Sequence, residues 1–143
     1  MTGVRVGFTG TRRGMTERQL RKLKRFLERP ASGIVAFHHG DCVGADAQAH
    51  ALVERTCPAV SIFIHPPSNG ALRAFSVVPM MHESSHGHVF PPAPYMTRNR
   101  AIVDACDVLI ATPNSTSEAI RSGTWATVRY ARIRGVPVHI FRP

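Results

Sequence analysis

Four turns rich in glycine or arginine recur along the chain after apolar runs: residues 7–14 (GFTGTRRG), 40–50 (GDCVGADAQAH), 98–100 (RNR) and 121–125 (RSGTW). Glycine lets a ligand approach backbone N–H groups closely, and arginine offers a planar, bidentate cation. Loops that follow parallel strands converge on one edge of a sheet. The chemistry they suit together is the binding of a phosphate-bearing molecule, either a nucleotide or a nucleic-acid strand.

Each turn has its own chemistry. Gly10 allows close backbone approach, while Thr11, Arg12 and Arg13 offer a hydroxyl and guanidiniums to a phosphate. Gly40 and Asp41 open the second turn, and Gly44 leads it tightly into a helix whose Ala45, Ala47 and Ala49 are small enough for close packing. Asp46 falls in the first turn of that helix. Two readings are open for it: a favourable partner for the helix dipole, or a hydrogen-bond acceptor for a ribose or a loop amide. His50, four residues on, reads as structural rather than as a base.

Arg98, Asn99 and Arg100 open a later helix. Two cations near a helix N-terminus oppose its dipole, so local stability does not explain them, and anion binding or pairing with Asp104 or Asp107 would. Arg121, Ser122, Gly123 and Thr124 begin the last helix with free N–H groups and two hydroxyls, an anion nest. Trp125 there can stack a base or pack in the core.

The elements that must position these turns follow from the pattern. Apolar runs at 4–8, 34–37, 60–64, 108–111 and 136–141 predict five strands. Thr16-x-x-Gln19 reads as a capping box, followed by a Leu20, Leu23, Leu27 stripe, with Pro30 and Gly33 ending that helix. The cations Arg18, Arg21, Lys22 and Arg25 lie largely off the stripe as a solvated face. Further helices are expected over 45–55, 98–106 and 123–134. Strands alternating with helices predict an α/β, Rossmann-like doubly wound parallel sheet in one domain spanning residues 1–143. A strand order of 3-2-1-4-5 would set the loops after strands one and four at the topological switch point. Residues 65–97 fit no regular element, apart from a possible helical turn near 69–75. The part from 80 to 95 reads as a flap or an oligomer contact.

Composition narrows the classes. The sequence has 143 residues, 43% hydrophobic and 19% charged, with a net charge of +9 carried by sixteen arginines against two lysines. That balance suits a globular protein with an anionic partner. No apolar run approaches the ~20 residues of a spanning helix, and the first residues lack a signal layout, so a cytoplasmic protein without membrane association is expected. Cys42, Cys57 and Cys106 are odd in number and far apart, as in a reducing compartment. The spacing of His82, Glu83, His86 and His88 matches no zinc pattern, so no metal is expected. No serine or cysteine has a convincing nucleophile context. No cofactor is expected.

The four segments in order resemble the nucleotide-binding core of the DprA/Smf (DNA-processing protein A) family. They are GFTGTR, GDCVGADAQAHAL, YMTRNRAIV and RSGTWATVRYA. The wider set is the SLOG superfamily, which also holds the LOG cytokinin-activating phosphoribohydrolases. The compact layout resembles the small stand-alone, YspA-like members, for which nucleotide or ADP-ribose-like ligands are proposed. The resemblance implies a nucleotide or nucleotide-derived small molecule as ligand, with homodimerisation through residues 65–97. Two departures stand out. The length leaves no room for the extra domains of many DprA proteins, which argues against recombinase loading. Aligning Thr127 with the threonine of the LOG motif PGGxGTxxE puts Tyr130 where the catalytic glutamate stands, whereas the LOG arginine near the ribose phosphate matches Arg98.

The expected function is therefore binding of a nucleotide or nucleotide-derived phosphate ligand at the carboxyl ends of the strands. Two alternatives remain: LOG-like cleavage of a nucleotide N-glycosidic bond, with Glu118 or Glu83 as a substitute acid/base, and DprA-like single-stranded DNA binding.

Overall fold

The computed structural model describes residues 3–29, 33–78 and 87–143. Its elements run β1 (Val4–Gly10), α1 (Glu17–Leu27), β2 (Ile34–His39), α2 (Ala45–Thr56), β3 (Ser61–Ile64), β4 (His88–Val89), α3 (Tyr95–Ala105), β5 (Val108–Thr112), α4 (Gly123–Ile133) and β6 (Val138–Ile140). A short 3-10 turn spans Gly70–Leu72. The six strands form one parallel sheet in the order β4-β3-β2-β1-β5-β6. The five expected strands hold their expected order, and β4 is added at the edge beside β3. Two residues are too short to show a period of two, so β4 is invisible to pattern reading.

Alternation along the strands assigns the two faces. Val6, Phe8, Phe37, Ile62, Ile64 and Ile110 point toward α1 and α2, where Leu23, Leu27, Ala49 and Val53 meet them. Leu109 packs against Ile102, Val103 and Ala131, and Ala111 against Trp125 and Val128, so α3 and α4 cover the opposite face. This two-faced burial explains why the central strand β5 reads VLIAT, with every residue buried.

Several element boundaries differ from expectation, two of them for a local reason. Helix α3 starts at Tyr95, three residues early, because Pro94 serves as its N-cap and accepts the Arg98 N–H. Strand β6 is confined to 138–140, because the Val136 N–H is bound to the Ala131 carbonyl at the end of α4. Pro30, expected at the end of α1, lies outside the described residues. So do His82, Glu83 and His86, and much of the 80–95 segment.

Gln19 ties the carboxyl edge together. Thr16 caps α1 by accepting the Gln19 N–H, and Gln19 Oε1 accepts the Thr16 N–H at 2.9 Å, completing the capping box. The same amide donates to the carbonyls of Pro113 at 2.7 Å and Phe141 at 2.8 Å. Its side chain is 1% exposed with all these bonds made, so it clamps the segments after β5 and β6 onto the start of α1. Gln19→Ala should lower unfolding free energy by about 3 kcal/mol, from a lost cap and two orphaned carbonyls. Urea denaturation would measure it, with an unchanged midpoint contradicting the clamp.

Candidate functional site at the carboxyl edge of the sheet

All four long helices begin at the carboxyl edge, and the switch point lies between β1 and β5. There the Thr11 N–H donates to the Thr112 carbonyl at 3.2 Å, and the Ala45 N–H at the start of α2 donates to the Thr11 carbonyl at 3.0 Å. The 11–12 turn is therefore seated directly on the α2 N-terminus. Gly44, at φ +93°, has no room for a side chain, because a Cβ would meet the Arg12 backbone. Gly10 is equally confined, by the Thr112 hydroxyl and the Ala45 methyl. The glycines permit close packing of protein on protein at these two points. The Arg12 and Arg13 side chains are exposed at the rim.

Beside this junction lies a buried polar group of three residues. Arg98 is 7% exposed and crosses from α3 to the end of β2, where Nη1 donates to the Gly40 carbonyl at 3.2 Å and Nη2 lies 3.2 Å from Cys42 Sγ. Its Nε has no hydrogen-bond partner. Asp46 is 6% exposed; Oδ2 accepts the Cys42 N–H at 3.1 Å and Oδ1 has no partner. Thr112 is fully buried with its hydroxyl unpartnered. Arg98 and Asp46 make no direct ion pair, although both flank Gly40. Burial pushes the Asp46 carboxyl up to about 6, against the opposing pull of the Cys42 N–H and the Arg98 charge.

Asp41 serves the loop. It is fully buried at φ +52°, and its carboxylate accepts from Arg73 Nε at 3.2 Å and the Ser76 N–H at 3.0 Å, latching residues 73–76 onto the β2–α2 turn. Its own N–H donates to His39 Nδ1 at 2.9 Å. That assigns the His39 proton to Nε2, which donates to His50 Nδ1 at 2.9 Å. His50 Nε2–H is then left for Glu54 and the Val77 carbonyl. His50 is thus one link in a buried chain running to the surface.

The other turns divide. Ser122 caps α4 by accepting the Trp125 N–H, and the Gly123 and Thr124 amides make no hydrogen bond among the described residues. Tyr95 lies against Gly123. Trp125 is 2% exposed, with its indole N–H on Ser115, so it is a core residue. Asn99 is buried on α3 and Arg121 is exposed. Arg100 lies away from Arg98, its guanidinium 5.5 Å from the Tyr130 ring centroid. Tyr130 itself donates to Asp104 of α3 at 2.9 Å in an exposed contact. Glu118 pairs with Arg129 and Arg132 at the surface, and Glu83 lies outside the described residues. Among the described residues no cluster of metal-ligating side chains occurs, and no helix is long and apolar enough to cross a membrane.

No protein-family model matches the chain, and no curated protein does. Solved structures do match. DNA processing protein A from Helicobacter pylori, studied for its single-stranded DNA binding mode, superposes with TM-score 0.62 and 18% identity over 97% of this chain and 65% of that one. The Streptococcus pneumoniae DNA processing protein A gives TM-score 0.66 and 17% identity, over 96% and 50%. The molybdenum cofactor binding protein of Rippkaea orientalis gives TM-score 0.69 and 18% identity, over 100% and 78%. The chain shares the fold of these proteins. At this identity the likeness carries the architecture alone. The chain spans about two thirds and half the length of the two DNA processing proteins.

Missed from the sequence were Thr112, Cys42 and a second histidine pair. Thr112 had a signal, a hydroxyl ending an otherwise apolar strand. His38 Nδ1 and His65 Nε2 lie 2.9 Å apart, and nothing in their spacing pairs them. Burial holds His38 at about 4, helped by the Arg5 charge. Burial also holds His65 at about 4, helped by His38 and Arg98. Burial holds His39 well below 6.5. Between pH 6.5 and 4 the unfolded chain takes up protons that these folded imidazoles refuse, so stability falls as pH falls. Asp46 acts the other way between 6 and 3.8, and the imidazoles outnumber it. From pH 7 to 5, Tm should drop on the order of 5–8 °C, for roughly 2 kcal/mol lost. His65→Gln should shallow that slope in a pH-resolved thermal melt, and an unchanged slope would contradict the assignment.

Proposed function

We propose that the chain binds a nucleotide or nucleotide-derived phosphate ligand at this edge. The observation that carries the reading is the trio of buried, unpartnered atoms: Asp46 Oδ1, Arg98 Nε and Thr112 Oγ1. Burying such groups unpaired costs about 1–3 kcal/mol each, more when charged, and a bound partner recovers it. An acceptor, a donor and a hydroxyl left unmatched at the same edge suit a ligand group that donates and accepts at once, as a sugar hydroxyl does. The phosphate would take the free amides of α4 at Gly123 and Thr124 and the rim cations Arg12 and Arg13. The SLOG-type neighbours, which include a cofactor-binding protein and a DNA-binding one, support a ligand-binding role without naming the ligand or its place.

One observation favours a second reading. Asp46, poised near 6 with one oxygen fixed and the other free, could take a proton from a water attacking a nucleotide's anomeric carbon. The water's hydroxyl would bond to that carbon as the C–N bond breaks, and the leaving base would carry the electron pair away and gain a proton.

Thr112→Val discriminates binding from structure. Its hydroxyl has no partner to lose, so unfolding free energy should hold or rise by up to about 1 kcal/mol, while AMP or ADP-ribose affinity falls several-fold in calorimetry. Arg98→Ala should cost roughly 1.5–3 kcal/mol of binding, about 10- to 100-fold. Affinities equal to wild type in both variants would sink the site. Free base released from nucleoside monophosphates by wild type and lost in Asp46→Asn would establish the hydrolytic reading. Binding of a single-stranded oligonucleotide alone, steeply weakened by salt, would transfer the edge to DNA.

A further inference from the structure

On the α3 face of the sheet, on the side of Arg98 toward β3 and β4, lies a cavity of about 280 Å³. Arg98, Thr97, Ala101 and Ala105 of α3 form one wall, and His65, Phe90 and the 91–93 turn form the other. Its volume is just under the ~300–1,000 Å³ of sites that enclose a whole drug-sized ligand, so it suits one ring system rather than a complete nucleotide.

The walls specify a flat occupant. Phe90 and His65 stack on each other with centroids 4.5 Å apart, and Phe90 also meets Phe63 and His88, which fixes its ring. Thr97, Ala101 and Ala105 recur every fourth residue and keep the α3 wall shallow. Two polar residues interrupt this apolar lining. Arg98 makes one bond from Nη1 to Gly40 and one from Nη2 to Cys42, and its Nε makes none. His65 Nδ1 is the free ring nitrogen of an imidazole whose Nε2 is bound to His38. The His38–His65 bond runs in either direction, so Nδ1 can present a donor or an acceptor. The apolar walls disfavour a charged occupant, and a purely aliphatic one would leave His65 Nδ1 unmatched.

We propose that this cavity binds a planar, uncharged nitrogen heterocycle, with its face on the aromatic and small-residue walls and a polar edge at His65 Nδ1. The inference deepens the nucleotide reading and rests on it only for the origin of the ring. The ring is either the base of a nucleotide whose sugar meets Asp46 across Arg98, or a free heterocycle.

The test titrates adenine, cytosine, their 5′-monophosphates and ribose 5-phosphate calorimetrically into wild type and Ala101→Leu. Ala101 is exposed on α3, and leucine is a good helix former, so the substitution should fill the cavity and preserve the fold. Phe90→Leu, which keeps apolar bulk and removes the ring, is the second variant. Heterocycles and nucleotides should weaken about tenfold in Ala101→Leu and several-fold in Phe90→Leu, with ribose 5-phosphate unchanged. Heterocycle binding unaltered in both variants would place the ring elsewhere and overturn the inference. The absence of any heterocycle or nucleotide binding to wild type would also overturn it, even if ribose 5-phosphate bound. Adenine bound by wild type and lost in Ala101→Leu, with no binding of ribose 5-phosphate or nucleotides, would uphold the cavity while the nucleotide reading fails.

Discussion

A guanidinium buried without a carboxylate in contact constrains much of this edge. Removing a full charge from water costs several kcal/mol unless the surroundings replace its hydration. Arg98 meets that demand with the Gly40 carbonyl, the Cys42 sulfur and the nearby field of Asp46. Each imposes a restriction. Gly40 must lack a side chain, since a Cβ would strike Nη1. Asp46 must be held close, and the Cys42 N–H holds it. Helix α3 on one face of the sheet and α2 on the other are thus joined across the end of β2 by polar contacts rather than by the core.

The same charge explains an oddity in α3. An arginine in the first turn opposes the helix dipole. Its head group leaves α3 for the end of β2, where it faces a carbonyl and lies in the field of a carboxylate. Arg100, two residues on, projects to another side and rests over Tyr130. The paired arginines of the RNR turn therefore occupy different environments, one buried at the edge and the other on the surface.

Much of the architecture was legible because it rests on local chemistry. The Thr16–Gln19 capping box, Gly44 before α2 and the five apolar runs all follow from periods, caps and backbone freedom within a few residues. The order of the strands followed from the doubly wound pattern, which sets the switch point beside the first strand. What was not legible depends on contacts across the chain. Gln19 reveals its cap in four residues, but its bonds to Pro113 and Phe141 lie 94 and 122 positions away. The histidine pair His38–His65 and the unpartnered Thr112 hydroxyl are likewise products of strand register. Strand β4 exists because β3 offers an edge, not because two residues prefer to be extended.

The excess positive charge reads differently once its partners are known. Arg5, Arg21, Lys24, Arg129, Arg132 and Arg134 pair with Asp107, Glu17, Glu28, Glu118 and Asp104 around the surface. Such exposed pairs add little stability. A strand of nucleic acid draws its affinity from many phosphate contacts along a continuous basic track. Among the described residues Arg98 is the one buried Arg or Lys, and two of its three nitrogens are already engaged by protein. Short-range complementarity to one small molecule makes better use of that arrangement than long-range attraction to a polyanion. In that case the net charge governs solubility and encounter more than recognition.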